Sequence, residues 1–116
     1  MKKVTKITQE ERSDYLSSLT AFPNILESDT LTENEKLALA FMLIPAMDSE
    51  NGECYQTLDF VQRKLAIARG SAQVLLFKLC HVYKFFQRTS KGHTREASIY
   101  KMNIENYNQH YLWKMF

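Results

Sequence analysis

Residues Thr57–Tyr83, TLDFVQRKLAIARGSAQVLLFKLCHVY, decide the fold. Thr57 stands where a helix N-cap belongs, Asp59 falls in the first turn, and Leu58, Val61 and Leu65 recur at helical spacing. This pattern predicts a helix from Thr57 to Leu65 with those three leucine and valine side chains turned inward. The periodicity breaks at Ala66-Ile67-Ala68 and resumes over roughly Arg69 to Tyr83, where Ala72, Leu75, Leu76, Leu79 and Tyr83 share a face. Opposite them lie Gly70, Val74, Phe77 and His81, a strip that is also largely apolar.

Reading outward, Asn51-Gly52 is a turn signal, and Glu53-Cys54-Tyr55 behind it has room for a short strand. Thr32 with Glu35 makes a capping-box spacing, and Glu33 adds a second acid where the helix dipole favours one. The helix they open is expected to bury Leu37, Ala40, Phe41 and Ile44, and to kink or end at Pro45. Further back, Thr8 with Glu11 repeats the capping box, and Tyr15, Leu16 and Leu19 predict an amphipathic helix over Thr8 to Leu19. It should stop before Phe22-Pro23-Asn24, with a polar linker over Glu27 to Thr30. Downstream, Phe85 to Arg88 and Ala97 to Met102 are strand-like and flank the polar stretch Thr89 to Glu96 around Gly92, which predicts a hairpin. In the last segment Ile104, Tyr107, Tyr111 and Met115 return at helical intervals, with Leu112, Trp113 and Phe116 nearby. That aromatic helix is expected to dock on its own core or to form a dimer contact through Tyr107, Tyr111, Leu112, Trp113 and Phe116.

Charge is sorted by position. From Ser13 to Asp59 nine acids face Lys36 alone, a net of −8; from Phe60 to Lys101 nine bases face Glu96 alone, a net of +8. The overall +2 conceals a basic half, which is an electrostatic footprint for a polyanion. A chain of 116 residues, 45% hydrophobic and 12% aromatic, is expected to form one domain with a real core. Cys54 and Cys80 have no C-x-x-C partner and no histidine at metal-ligand spacing, so they read as reduced structural thiols in a cytoplasmic protein. The basic start, Met1 to Lys6, lacks the apolar segment of a secretory signal, and the run from Leu37 to Met47 is too short to span a bilayer. Phosphate-cradling and nucleophile-elbow motifs are absent, and His81, His93 and His110 have no carboxylate at helical spacing to orient them. The expectation is a protein that is not an enzyme and carries no cofactor, no metal and no membrane anchor.

The order helix, short strand, helix, turn, helix, hairpin resembles a winged helix-turn-helix domain of the kind found in bacterial, plasmid and phage replication initiators and transcription regulators. The likeness is carried by Leu31-Thr32-Glu33-Asn34-Glu35-Lys36-Leu37, by Asn51-Gly52-Glu53-Cys54-Tyr55-Gln56-Thr57-Leu58, and by Ser98-Ile99-Tyr100-Lys101-Met102. It implies a mainly α fold with a small β-hairpin: an N-terminal helix and linker over 1–30, the winged domain over 31–103, and the aromatic helix over 104–116. It also implies double-stranded DNA as partner, a homodimer, and a role in transcription or replication of a bacterial or mobile element.

On this resemblance the helix from Arg69 is the recognition helix, with Arg69, Gly70, Ser71, Gln73, Val74, Phe77 and Lys78 toward DNA. Arg69 can bond guanine in a bidentate way, Gln73 can pair with adenine, Val74 and Phe77 can meet thymine methyls, and Ser71 and Lys78 suit phosphates. The wing carries Lys84, Arg88, Lys91, His93, Arg95 and Lys101, contacts that position a duplex without reading it. Two residues depart from the family pattern: Ala66 stands where the turn usually has glycine, and Ala68 where the recognition helix usually has a Ser or Thr cap. The apolar strip supports a second expectation, a protein–protein interaction module that grips its partner through Val74, Phe77 and His81 or through the aromatic tail.

Overall fold

The computed structural model describes residues 5–92 and 96–103. Within them the chain is mainly helical, with a small three-stranded antiparallel sheet. Helix α1 spans Gln9–Ser18 and α3 spans Glu33–Asp48. Both begin with the expected capping box: Thr8 Oγ1 accepts from the Glu11 N–H and Thr32 Oγ1 from the Glu35 N–H, each at 3.1 Å. The two glutamates answer by accepting from the backbone N–H of Thr8 and of Thr32. Glu35 is only 4% exposed; burial, and then the Glu35 carboxylate beside it, push the Tyr83 phenol above its ordinary range.

Between these helices two short elements precede the expected polar linker, and Glu27 to Thr30 itself carries no helix or strand. A 3-10 turn covers Leu19–Ala21, and a short helix α2 covers Pro23–Leu26. Pro23 opens that helix, where a missing N–H costs nothing. Leu19, Phe22 and Ile25 are each 1% exposed, so the segment enters the same core as α3. Lys36 Nζ donates to the Leu26 carbonyl at 2.8 Å and ties the end of α2 to the start of α3.

Helix α3 departs from the expected stripe. Every residue from Leu37 to Met42 and Leu43 is buried, whereas Ile44 is 40% exposed. The helix is covered on several sides, by α1, by the sheet and by α5, so burial does not follow a single face. Pro45 does not end it. The helix runs on to Asp48, and Pro45 sits exposed in the last turn, where its missing N–H removes a single ladder bond. Edge-to-face ring pairs join three helices: Tyr15 to Phe41 at 4.7 Å, and Phe41 to Phe60 at 5.5 Å.

Strand β1 spans Glu53–Gln56, after a turn in which Gly52 takes φ +72°. Helix α4 follows over Leu58–Leu65, capped by Thr57 Oγ1 accepting from the Phe60 N–H at 3.0 Å. Val61 and Leu65 face inward as expected, and Leu58 is half-buried. α4 ends at Ala66, which adopts the left-handed conformation (φ 54°, ψ 48°) that glycine usually supplies. Helix α5 then spans Arg69–Phe77 and widens into a π turn over Lys78–Val82 instead of continuing as α-helix to Tyr83. The Tyr83 N–H reaches back to the Lys78 carbonyl at 2.8 Å, and the Phe85 N–H to that of Leu79 at 2.9 Å. This turn keeps Leu79 fully buried and delivers Phe85 and Phe86 into the core.

Strands β2, Phe86–Ser90, and β3, Ser98–Met102, complete the sheet in the order β1-β3-β2. Tyr100 sits between Cys54 on β1 and Arg88 on β2. A bulge between Arg88 and Ser90 breaks the β2–β3 register and turns the hairpin beyond it.

Candidate functional site

Where α5 meets the β2–β3 hairpin, the two enclose a cleft of about 440 Å3. Arg69 and Gln73 reach it from the first turns of α5, Phe77 and His81 from further along, and Arg88 and Lys91 from the hairpin. Its floor is Leu58, Leu76, Cys80 and Tyr100. Among the described residues that line it there are three permanent cations and no carboxylate. Folding thus joins charges that lie far apart in the sequence.

The hairpin is fixed locally. Gly92 approaches the returning strand so closely that a Cβ there would lie 2.4 Å from the Glu96 carbonyl oxygen and 2.6 Å from that of Ala97. Its N–H donates to Ser98 Oγ at 2.9 Å. Glycine is required here for close approach. Thr89 Oγ1 adds a bond to the Ile99 carbonyl.

The remaining residues expected on the recognition face fall elsewhere. Gly70, Ser71, Val74 and Lys78 line a shallower groove on the other side of α5, shared with Thr32, Asn34 and Glu35 at the start of α3. A single face was expected, and α5 instead divides these side chains between two grooves, because its rim residues sit between the hairpin and α3. Val74 is 55% and Phe77 57% exposed, so the strip opposite the core is apolar and open, as the spacing predicted. The Phe77 and His81 rings lie 4.6 Å apart at a 37° tilt. Gly70 is open as well, with nothing within 4 Å of where a Cβ would be.

Of the expected wing residues, Arg88 and Lys91 lie at the cleft. Lys84 and Lys101 are exposed but do not line it. Lys84 takes φ 58° before β2, and its carbonyl accepts from Asn103 Nδ2, while Lys101 pairs across the sheet with Glu53 and Gln87. His93 and Arg95, and Tyr107, Tyr111, Leu112, Trp113 and Phe116 of the tail, lie outside the described residues. Two bases of the positive half are tied to acids: Arg63 Nε lies 2.9 Å from Asp59 and Lys64 Nζ 2.6 Å from Glu11. Both belong to α4.

The sequence reading missed the floor. Cys80 is a half-buried thiol that burial pushes up to about 11, although Arg88 pulls the other way. Cys54, on the core side of the sheet, is pushed up to about 12 by burial. Neither is a nucleophile at neutral pH. The Tyr100 phenol is raised by burial, with Ser98 and Arg88 opposing. A buried tyrosine directly opposite an arginine on the neighbouring strand is the signal that could have located this floor, once the register was known.

Among the described residues no cluster of three or more His, Cys, Asp or Glu could hold a metal ion, and no single helix is long and apolar enough to cross a membrane. No protein-family model, curated protein or solved structure matches the chain.

Proposed function

We propose that the chain binds duplex DNA as a winged helix-turn-helix protein, with α5 toward the major groove and the β2–β3 hairpin as the wing. The observation that carries the reading is the cleft in which Arg69 and Gln73 of α5 converge with Arg88 and Lys91 of the hairpin, with no acid among its described lining residues. Phosphates follow such a cationic seam, and the two ends of the seam sit on the two elements that a winged domain presents to DNA. The connection also fits. Three residues join α4 to α5, and the chain bends by 114° between them, in the range of helix-turn-helix pairs. The sheet order β1-β3-β2, with β3 central and β2 at the edge, agrees with a wing.

On this reading the protein is a homodimer that regulates transcription or replication of a bacterial or mobile element. Base readout is modest, because Val74 and Phe77 occupy the middle of α5 and the cations sit at its start and in the hairpin. Duplex affinity measured at several salt concentrations tests the proposal: log K should fall linearly with log salt, and affinity indifferent to salt overturns it. Arg69→Ala should relax sequence preference by about 1–3 kcal/mol at one base pair, whereas Lys91→Ala should weaken all sequences alike and reduce the salt slope by about 1. Uniform loss in both variants would remove α5 from the reading role.

A second reading rests on the exposure of Val74 and Phe77, 55% and 57%. Apolar side chains this open on one helix suit a protein partner. Phe77→Asp separates the two: loss of dimer with DNA affinity retained assigns the strip to protein contact.

A further inference from the structure

We propose that the cleft between α5 and the hairpin binds a nucleoside phosphate, its phosphate against Arg69, Arg88 and Lys91 and its base against the Phe77–His81 ring pair. Three observations converge on it. The volume, about 440 Å3, lies within the range of roughly 300–1,000 Å3 typical of small-ligand sites. The cations and the rings line one cavity, so a ligand that spans both must join an anion to a flat aromatic group. Finally, Phe77 is 57% exposed, and an open ring beside cationic side chains is the platform on which an unpaired base stacks, whatever its identity.

Continuous duplex DNA cannot fill this space, since its bases are stacked on one another. The ligand is either a free mononucleotide or a nucleotide of an unpaired strand. The proposal concerns the same cleft as the duplex-binding reading and rests on its cations being open to phosphate; because it is measured without duplex, a failure here and a failure of duplex binding are told apart.

Calorimetric titration with adenosine 5′-monophosphate, adenosine and inorganic phosphate provides the test. The monophosphate should bind at least about tenfold more tightly than adenosine or phosphate alone, since only it engages both walls. Phe77→Ala should weaken it by about fivefold or more and leave inorganic phosphate unaffected. Location is read from the thiols. Iodoacetamide alkylation of Cys80 at pH 9 should slow in the presence of the monophosphate, while that of Cys54, which lies behind Tyr100 and does not line the cleft, should not. A monophosphate no tighter than phosphate, or one that binds without protecting Cys80, overturns the proposal. The single strand of five deoxyadenylates assigns the source: binding about tenfold tighter than the monophosphate identifies a strand, and equal affinity a free nucleotide.

Discussion

Helices α3 and α5 are both rich in apolar residues, and they dispose of them in opposite ways. α3 buries an unbroken run from Leu37 to Leu43 and begins with a complete capping box on Thr32 and Glu35. α5 buries Ala72, Leu75 and Leu76, leaves Val74 and Phe77 open, and begins at Ala68 with no side-chain cap. One helix spends its hydrophobicity on the fold, and the other keeps part of it on the surface beside a cationic cleft. Apolar surface that the core does not use is available for recognition. The comparison therefore separates stability from function by helix, and it can be broken by substitution.

Leu39 and Phe77 supply the largest contrast. Leu39 is 0% exposed, so Leu39→Ala should cost about 2–5 kcal/mol through lost burial and the cavity left behind. Phe77→Ala should stay within about 0.5 kcal/mol, as for other surface changes. Urea unfolding of both variants measures this. Equal costs would mean that α5 holds the fold as α3 does.

The two thiols sharpen the comparison with pH. Cys54 lies on the core side, pushed up to about 12 from 9.0, and Cys80 lines the α5 cleft, pushed up to about 11. Below pH 9 folded and unfolded chains both hold the thiol proton, and the stability contribution is fully present. As pH rises above 9 the unfolded chain releases it while the folded chain keeps it, so stability falls. For Cys54 the loss should reach about 1.4 kcal/mol at pH 10. The gap between unfolding midpoints at pH 8 and pH 10 should narrow in Cys54→Ala. Cys80→Ala should reduce it by a similar amount, since both folded thiols keep their protons at pH 10.

The same contrast explains which features were legible in the sequence. Caps are local: Thr8, Thr32 and Thr57 each bond a residue three positions on, so the helix starts could be read directly. The Asn51-Gly52 turn and the hairpin strands are equally local, and both stand where they were expected. The burial of α3 is not local. Which faces are covered depends on α1, the sheet and α5 packing around it, so periodicity assigned Ile44 to the core and the fold exposed it. At Pro45 the helix does not end but runs on to Asp48. For the cleft, sequence named the cations Arg69, Arg88 and Lys91 but not the floor. Leu58, Cys80 and Tyr100 meet only through the sheet register and the bend after Leu65, and no spacing rule reports those.

The uncapped start of α5 gives the smallest effect and the cleanest separation. Ala68 has the extended backbone of an N-cap (φ −67°, ψ 155°) but no side-chain oxygen to accept from the first turn. Ala68→Ser and Ala68→Asp should each stabilise the fold by about 0.5–1 kcal/mol in urea unfolding, because both supply that oxygen. Their effects on duplex affinity should differ. Serine leaves the charge beside Arg69 unchanged, whereas aspartate sets a carboxylate at the helix N-terminus, where the proposed DNA phosphates would also be drawn. Stability gained in both variants, with duplex affinity lowered only by aspartate, would assign the bare cap of α5 to binding. If affinity is untouched in both, the start of α5 faces away from DNA.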